Sequence, residues 1–237
     1  MIGTPQNDPL LSVTDLRQRA GQQTILAEVN FSVNAGERVG IFGLRASGKT
    51  TLLHILAGVE SFTSGEVCVL GNRLPREQEF KHHTGLVTQK PSLFQDLRAG
   101  ENLDYISVLK NHKLKDLEPI IERLALEEHL KKPLRQLDYG VLQRLSLACA
   151  LIGDPALLLA DELFNDIDLY SRKLILNELW IFQERGGTCI WTYSDIMLST
   201  HMDRILWLEE GRVVSVGVEA ALQRWYDETT YWGIEQG

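Results

Sequence analysis

Along the chain, short apolar runs alternate with longer segments in which apolar residues recur every three or four positions. Strands followed by helices in that order predict an α/β fold, a mainly parallel sheet with helices on both faces. "ILAEVNFSVNAGERVGIFG" (25–43) predicts two strands joined by the turn "NAGE", the second (39–42) running straight into a glycine-rich loop. "TTLLHILAG" (50–58) has helical spacing, with Gly58 as its stop. "SGEVCVLGN" (64–72) reads as a short strand ending in a Gly-Asn turn, and "TGLVTQ" (84–89) as another strand. From 96 to about 132 the pattern is helical and more polar, a helical insert, and a helix over about 138–152 follows. "PALLLADE" (155–162) is a buried strand closed by two acids, and "IDLYSRKLILNELWIFQERGG" (167–187) a long amphipathic helix stopped by two glycines. "TCIWTYS" (188–194) is a strand, "RILWLEEGRVVSVG" (204–217) a hairpin, and 226–237 a short tail.

Composition narrows the function classes. Of 237 residues, 44% are apolar and 24% charged, enough for a real core and unlike a disordered chain. A net charge of −8 without any basic block argues against nucleic acid as a partner. Cys68, Cys149 and Cys189 are odd in number and far apart, which predicts free thiols in a reducing compartment. The stretch "MIGTPQNDPL" has neither the charged nor the apolar region of a signal peptide. Apolar runs such as "PALLLA" (155–160) are too short to span a bilayer, so a membrane role needs a partner.

Two elements carry chemistry. "GLRASGKT" (43–50) matches G-x-x-x-x-G-K-[ST], with a strand before it and a helix after it. Gly43 and Gly48 let the backbone wrap phosphate oxygens. The amides of Ala46, Ser47, Gly48, Lys49, Thr50 and Thr51 supply donors at a helix N-terminus. Lys49 would neutralise β- and γ-phosphate charge, and Thr50 would hold Mg²⁺ through its hydroxyl. The second element, "LLLADE" (157–162), delivers Asp161 and Glu162 to a strand end. Asp161 would reach Mg²⁺ through water, and Glu162 would polarise the attacking water.

With these motifs in order, the chain resembles the ATP-binding cassette (ABC) ATPases over roughly residues 10–225. "GLRASGKTT" stands as Walker A, Gln89 in "VTQKPSLF" as the Q-loop, "LDYGVLQR" (137–144) at the signature position, "LLLADE" as Walker B, "NDID" (165–168) as the D-loop and "YSD" (193–195) at the switch position. The resemblance implies a P-loop NTPase core over about 10–92 and 153–225, an antiparallel β subdomain and a helical subdomain over about 93–152. It also implies ATP and Mg²⁺ as cofactors, with Gln89 joining Thr50 and Asp161 near the metal and Glu162 near the attacking water. The implied partners are a second cassette chain, identical or different, and a polytopic membrane subunit that holds the chain on the cytoplasmic face. The segment 92–109 resembles the family's contact with that subunit. A non-transport ABC regulator, or a pseudo-ATPase scaffold, is the alternative.

The departures from the family are specific. Asp138 and Tyr139 replace the signature serine and first glycine, leaving Gly140. A carboxylate about 4 Å from a partner's γ-phosphate costs about 4 kcal/mol at an effective dielectric of 20. Asp138 is equally a good helix N-cap, and the two roles are compatible. Ser194 occupies the switch histidine's place, with His201 seven residues on; Leu163 replaces the usual proline, and Ala20 the aromatic that stacks on adenine. Residues that would hold phosphate and Mg²⁺ within one chain are kept, and groups that act across a dimer or complete the switch are eroded, which favours binding over fast turnover.

Overall fold

The structure, a computed structural model, describes residues 8–231; the signal-peptide reading at 1–7 and the end of the tail lie outside them. Its centre is a six-stranded sheet in the order β10-β9-β3-β8-β7-β6. The strands are β3 (Arg38–Phe42), β6 (Thr84–Val87), β7 (Leu157–Asp161), β8 (Thr188–Tyr193), β9 (Arg204–Glu209) and β10 (Arg212–Val216). All pairs are parallel except β9–β10. Buried on both faces, β7 and β8 read as continuous apolar runs, as central parallel strands must. Period-2 alternation then sorts their side chains. Leu157, Leu159 and Ile190 enter one core, and Leu158, Ala160, Cys189 and Trp191 the other.

The first core holds α1 (Lys49–Leu56) between the central sheet and a second, antiparallel sheet in the order β2-β1-β4-β5. Leu52, Leu53, Ile55 and Leu56 are all fully buried there. The second sheet contains β1 (Leu11–Ala20), β2 (Gln23–Val33), β4 (Ser64–Val69) and β5 (Asn72–Leu74). The sequence reading recognised no strand at 11–20. Leu11, Val13 and Leu16 are buried there, but Asp15 at φ 48 and a register shift between Val13 and Leu16 break the alternation. The β4–β5 turn falls at Leu70 and Gly71, both with positive φ, one residue earlier than the expected Gly-Asn.

Between β6 and β7 the chain forms α2 (Ala99–Leu109), α3 (Glu118–Arg123) and α4 (Tyr139–Leu151), joined by short 3-10 turns. Left-handed Asn111 and Ala125 interrupt the expected helical run after α2 and after α3. These helices build the second core with α5 (Leu169–Glu184) and α6 (Val218–Tyr231). The tail expected from 226 is helical through Tyr231: Ala221 is fully buried, Trp225 packs edge-on against Phe42, and Arg224 bonds Glu209 and Glu228. Burial pushes the Cys149 and Cys189 thiols up to about 12, so neither is a thiolate at neutral pH.

Because α1 is closed in by both sheets, Leu53→Ala leaves a cavity that little can fill. The expected loss is about 2–5 kcal/mol in urea unfolding. Val214→Ala, at an exposed position on the edge strand β10, is expected to stay within about 0.5 kcal/mol.

Candidate functional site

β3, β8 and β7 are neighbours and run the same way, with Phe42 opposite Tyr193 and Asp161 opposite Thr192. Three chain segments therefore leave the sheet at one edge: the loop 43–48, the acids Asp161 and Glu162, and Ser194. In open parallel sheets that carboxyl edge is where ligands bind.

The loop after β3 is shaped by its glycines. A Cβ on Gly43 would sit 2.5 Å from the Leu208 carbonyl oxygen, and Gly48 lies at φ 103 as the N-cap residue of α1. No side chain caps α1, so its first turn faces the loop without a protein acceptor of that kind. The Ser47 hydroxyl is buried with no hydrogen-bond partner among the described residues, whereas its amide donates to Leu44 O at 3.2 Å. Ala46 is exposed, with φ 63, and Thr51 is half-buried. Lys49 is buried; its ammonium donates to Gly43 O (2.7 Å) and Leu44 O (3.1 Å) and lies 3.3 Å from Glu162 Oε1. An orphan hydroxyl, an uncapped helix start and a buried ammonium together fit a bound phosphate chain.

The two acids are 1% and 7% exposed, so each carboxylate needs partners. Asp161 Oδ1 accepts from Thr192 Oγ1 at 2.5 Å and from Thr50 Oγ1 at 3.2 Å. A hydroxyl and a carboxylate side by side are the oxygen donors a hard cation such as Mg²⁺ takes. Glu162 Oε1 accepts from Ser194 Oγ at 2.7 Å, and Oε2 from Asn165 Nδ2 at 3.0 Å. The Glu162 amide is held by Thr192, through both its hydroxyl (3.0 Å) and its carbonyl (3.2 Å).

Other positions fall elsewhere. Gln89 is exposed and is gripped by its main chain: its carbonyl accepts from the Tyr139 hydroxyl and from Gln143 Nε2 at 3.0 Å. Asp138 is exposed and caps α4, accepting from the Val141 amide at 2.9 Å. Gly140 is buried where any Cβ would collide with the Asp168 carboxylate and the Ser171 hydroxyl. His201 lines a groove with Arg38, Trp180 and Trp191, and Ser194 is the residue on Glu162. Ala20 is exposed at the end of β1. Sequence reasoning missed Thr192 and Asn165. Thr192 had a signal: it lies on the same face of β8 as Ile190, toward α1, and the like parity of Asp161 on β7 puts both on that side.

Comparison with known proteins agrees with this fold. The family described as ABC transporter matches residues 26–165. The chain is 31% identical over 223 residues to the spermidine/putrescine import ATP-binding protein PotA of Haemophilus influenzae, covering 92% of this chain and 60% of that one. It is 29% identical to the macrolide export ATP-binding/permease protein MacB of Pasteurella multocida, covering 88% and 34%. The chain thus spans less than two thirds of the curated relatives it matches. An ATP-binding subunit of an ABC transporter superposes with a TM-score of 0.83 at 23% identity, covering 92% of this chain and 93% of that one. The ATP-binding cassette MJ0796, a dimer in a post-hydrolysis state with ADP and Pi, superposes at 0.81 and 24%, covering 88% and 98%.

Thr192→Val removes one hydroxyl that serves both acids, leaving a buried carboxylate oxygen and a buried amide short of partners. The expected cost is about 1–3 kcal/mol in chemical unfolding, most of it recovered in Thr192→Ser.

Proposed function

The chain belongs to the ABC transporter family, and on that premise we propose that it is the ATP-binding subunit of a membrane transporter, coupling ATP binding and slow hydrolysis to transport through separate membrane subunits. The observation that carries the reading is the meeting of Lys49, Thr50, Asp161 and Glu162 at one sheet edge. Bound Mg²⁺-ATP would supply a phosphoanhydride whose cleavage drives the cycle. The loop 43–51 would wrap its phosphates, Lys49 would exchange the loop carbonyls for phosphate oxygens, and Thr50 and Asp161 would hold the cation. Glu162 would take the proton of the attacking water, while Gln89, exposed here, is given its part in catalysis and at the metal by the family resemblance alone.

Slow turnover follows from Ser194. A serine hydroxyl has one proton to donate, and here it goes to Glu162. It cannot at the same time bridge to the transferred phosphoryl group as an imidazole would. Among the described residues no helix is long and apolar enough to cross a membrane, and the reading assigns passage to a polytopic partner. Phe94, Tyr105, Val108 and Leu109 expose between 45% and 73% of their surface on or beside α2, an apolar patch suited to that contact.

We propose further that the second cassette is a different chain. Two copies of this one would set Asp138 against the nucleotide at both sites. A partner with a regular signature would complete the site built on Lys49 and Glu162, leaving one weakened clamp instead of two.

Lys49→Ala should cost the nucleotide-free chain at least tenfold in Mg²⁺-ATP affinity by calorimetry, through loss of a charge-assisted contact; equal affinity would sink the phosphate-loop reading. Steady-state phosphate release should fall below the ordinary enzyme range of about 1–1,000 per second, and Glu162→Gln should abolish what remains. Native mass determination of the membrane complex should find one copy of this chain beside a second cassette; two copies and no other cassette would rule out the unlike pair.

A further inference from the structure

Tyr139 stands at the first turn of α4, where the resembled family has a glycine, yet it turns back into its own chain. Its hydroxyl donates to the main-chain carbonyl of Gln89, fifty residues away in sequence. Gln143, one turn further along α4 and fully buried, donates through Nε2 to the same carbonyl at 3.0 Å and to the Tyr139 hydroxyl at 3.2 Å. Both lone pairs of the Gln89 carbonyl are thereby used, and the tyrosine hydroxyl both accepts and donates. The knot closes on the stretch where the chain leaves β6 for the helices. Around it the loop is held by short-range bonds, Thr88 Oγ1 to Lys90 O at 2.7 Å and to Ser92 Oγ at 2.8 Å.

We propose that Tyr139 is a positioning residue for Gln89. Its hydroxyl ties the 88–92 loop to the start of α4 within one chain and so fixes where the Gln89 side chain starts out relative to Thr50 and Asp161. The glycine that the family has at this place has no side chain with which to do this. The loss of glycine at 139 therefore has a positive content: the position is recruited from facing a partner to bracing the chain's own loop. The tie itself needs only the contacts above; its consequence for the metal rests on the proposed reading of Gln89.

The test uses the full chain, isotope-labelled, as wild type and as Tyr139→Phe, which removes one oxygen and keeps the ring. In the nucleotide-free protein the Gln89 carbonyl carbon and the Lys90 amide should shift in Tyr139→Phe, and order parameters of amides 88–90 should fall from about 0.85 toward 0.6, with α1 amides unchanged. Calorimetry should show the Mg²⁺ concentration for half-maximal ATP binding rising about three- to tenfold, with ATP affinity at saturating Mg²⁺ unchanged. A merely structural role would lower the melting temperature without that split. Unchanged Gln89 and Lys90 resonances would overturn the tie. A looser loop with an unchanged Mg²⁺ requirement would overturn the positioning role. Absence of ATP binding in the wild type would instead overturn the nucleotide reading and the positioning role with it, while the resonances still judge the tie. Tyr139→Gly, if it folds, should match the phenylalanine variant in both readouts; behaviour like wild type would count against the hydroxyl.

Discussion

Two adjacent carboxylates buried at the end of an apolar strand are the constraint on which this structure turns. Asp161 and Glu162 close β7 at 1% and 7% exposure, like charges in a poorly polarisable place. Left without donors, such a pair would cost several kcal/mol per ion. The chain answers with donors from three segments: Thr50 and Lys49 from the start of α1, Thr192 and Ser194 from β8 and just beyond it, and Asn165 from the turn after the acids. That requirement explains the strand order. Only with β8 beside β7, and β3 beside β8, do the loop, the acids and the switch position leave the sheet together. Lys49 is the countercharge of Glu162, so on the proposed reading a phosphate chain arriving at Lys49 would compete with that carboxylate. On that reading, binding and base placement would be one electrostatic problem.

The rest of the fold keeps that edge rigid. α1 is apolar on every side that meets a sheet, and its entry is fixed by Gly43 against the Leu208 carbonyl and by left-handed Gly48. Leu208 belongs to β9, so the outer strand of the parallel set sets the path of the loop. α6 backs the same region from the other core, through Trp225 against Phe42 and Arg224 over the Trp207 ring at 4.2 Å. The phosphate loop is thus held between two cores by contacts that no single motif encodes.

What the sequence made legible is what local order encodes. The loop's glycines, lysine and threonine lie within eight residues, and an apolar strand ending in two acids announces itself. The central strands β7 and β8 follow from burial alone, because residues covered on both faces must be apolar throughout, whereas α5 shows as an amphipathic repeat. β1 was hidden by its bulge at Asp15, which puts Leu16 out of step with Val13. No helix is read at 218–231, and a tail is read from 226, because the last turns of α6 are largely polar, with Asp227 and Glu228 bonded to residues one turn back. Thr192 depends on which strands are neighbours, Asn165 on how the turn just after the acids folds back onto Glu162, and the Tyr139–Gln89 contact on where a helix starts fifty residues later. Motif spacing contains none of these.

The altered signature stretch shows the same division from the other side. Asp138 satisfies the Val141 amide, Tyr139 and Gln143 satisfy the Gln89 carbonyl, and Gly140 stays glycine because Asp168 and Ser171 leave no room for a side chain. Each residue of that turn is explained by contacts inside its own chain. A helix start that must face another molecule's phosphate needs free amides and no nearby anion. One that serves only its own fold can take a capping carboxylate and a bracing ring. Selection on such a chain would act on folding and on the P-loop side of the site, while the cross-chain side drifts toward whatever packs best. On the proposed reading, a well-capped start of α4 and a poor phosphate clamp would then have a single cause, the bonds that residues 138 and 139 make within their own chain.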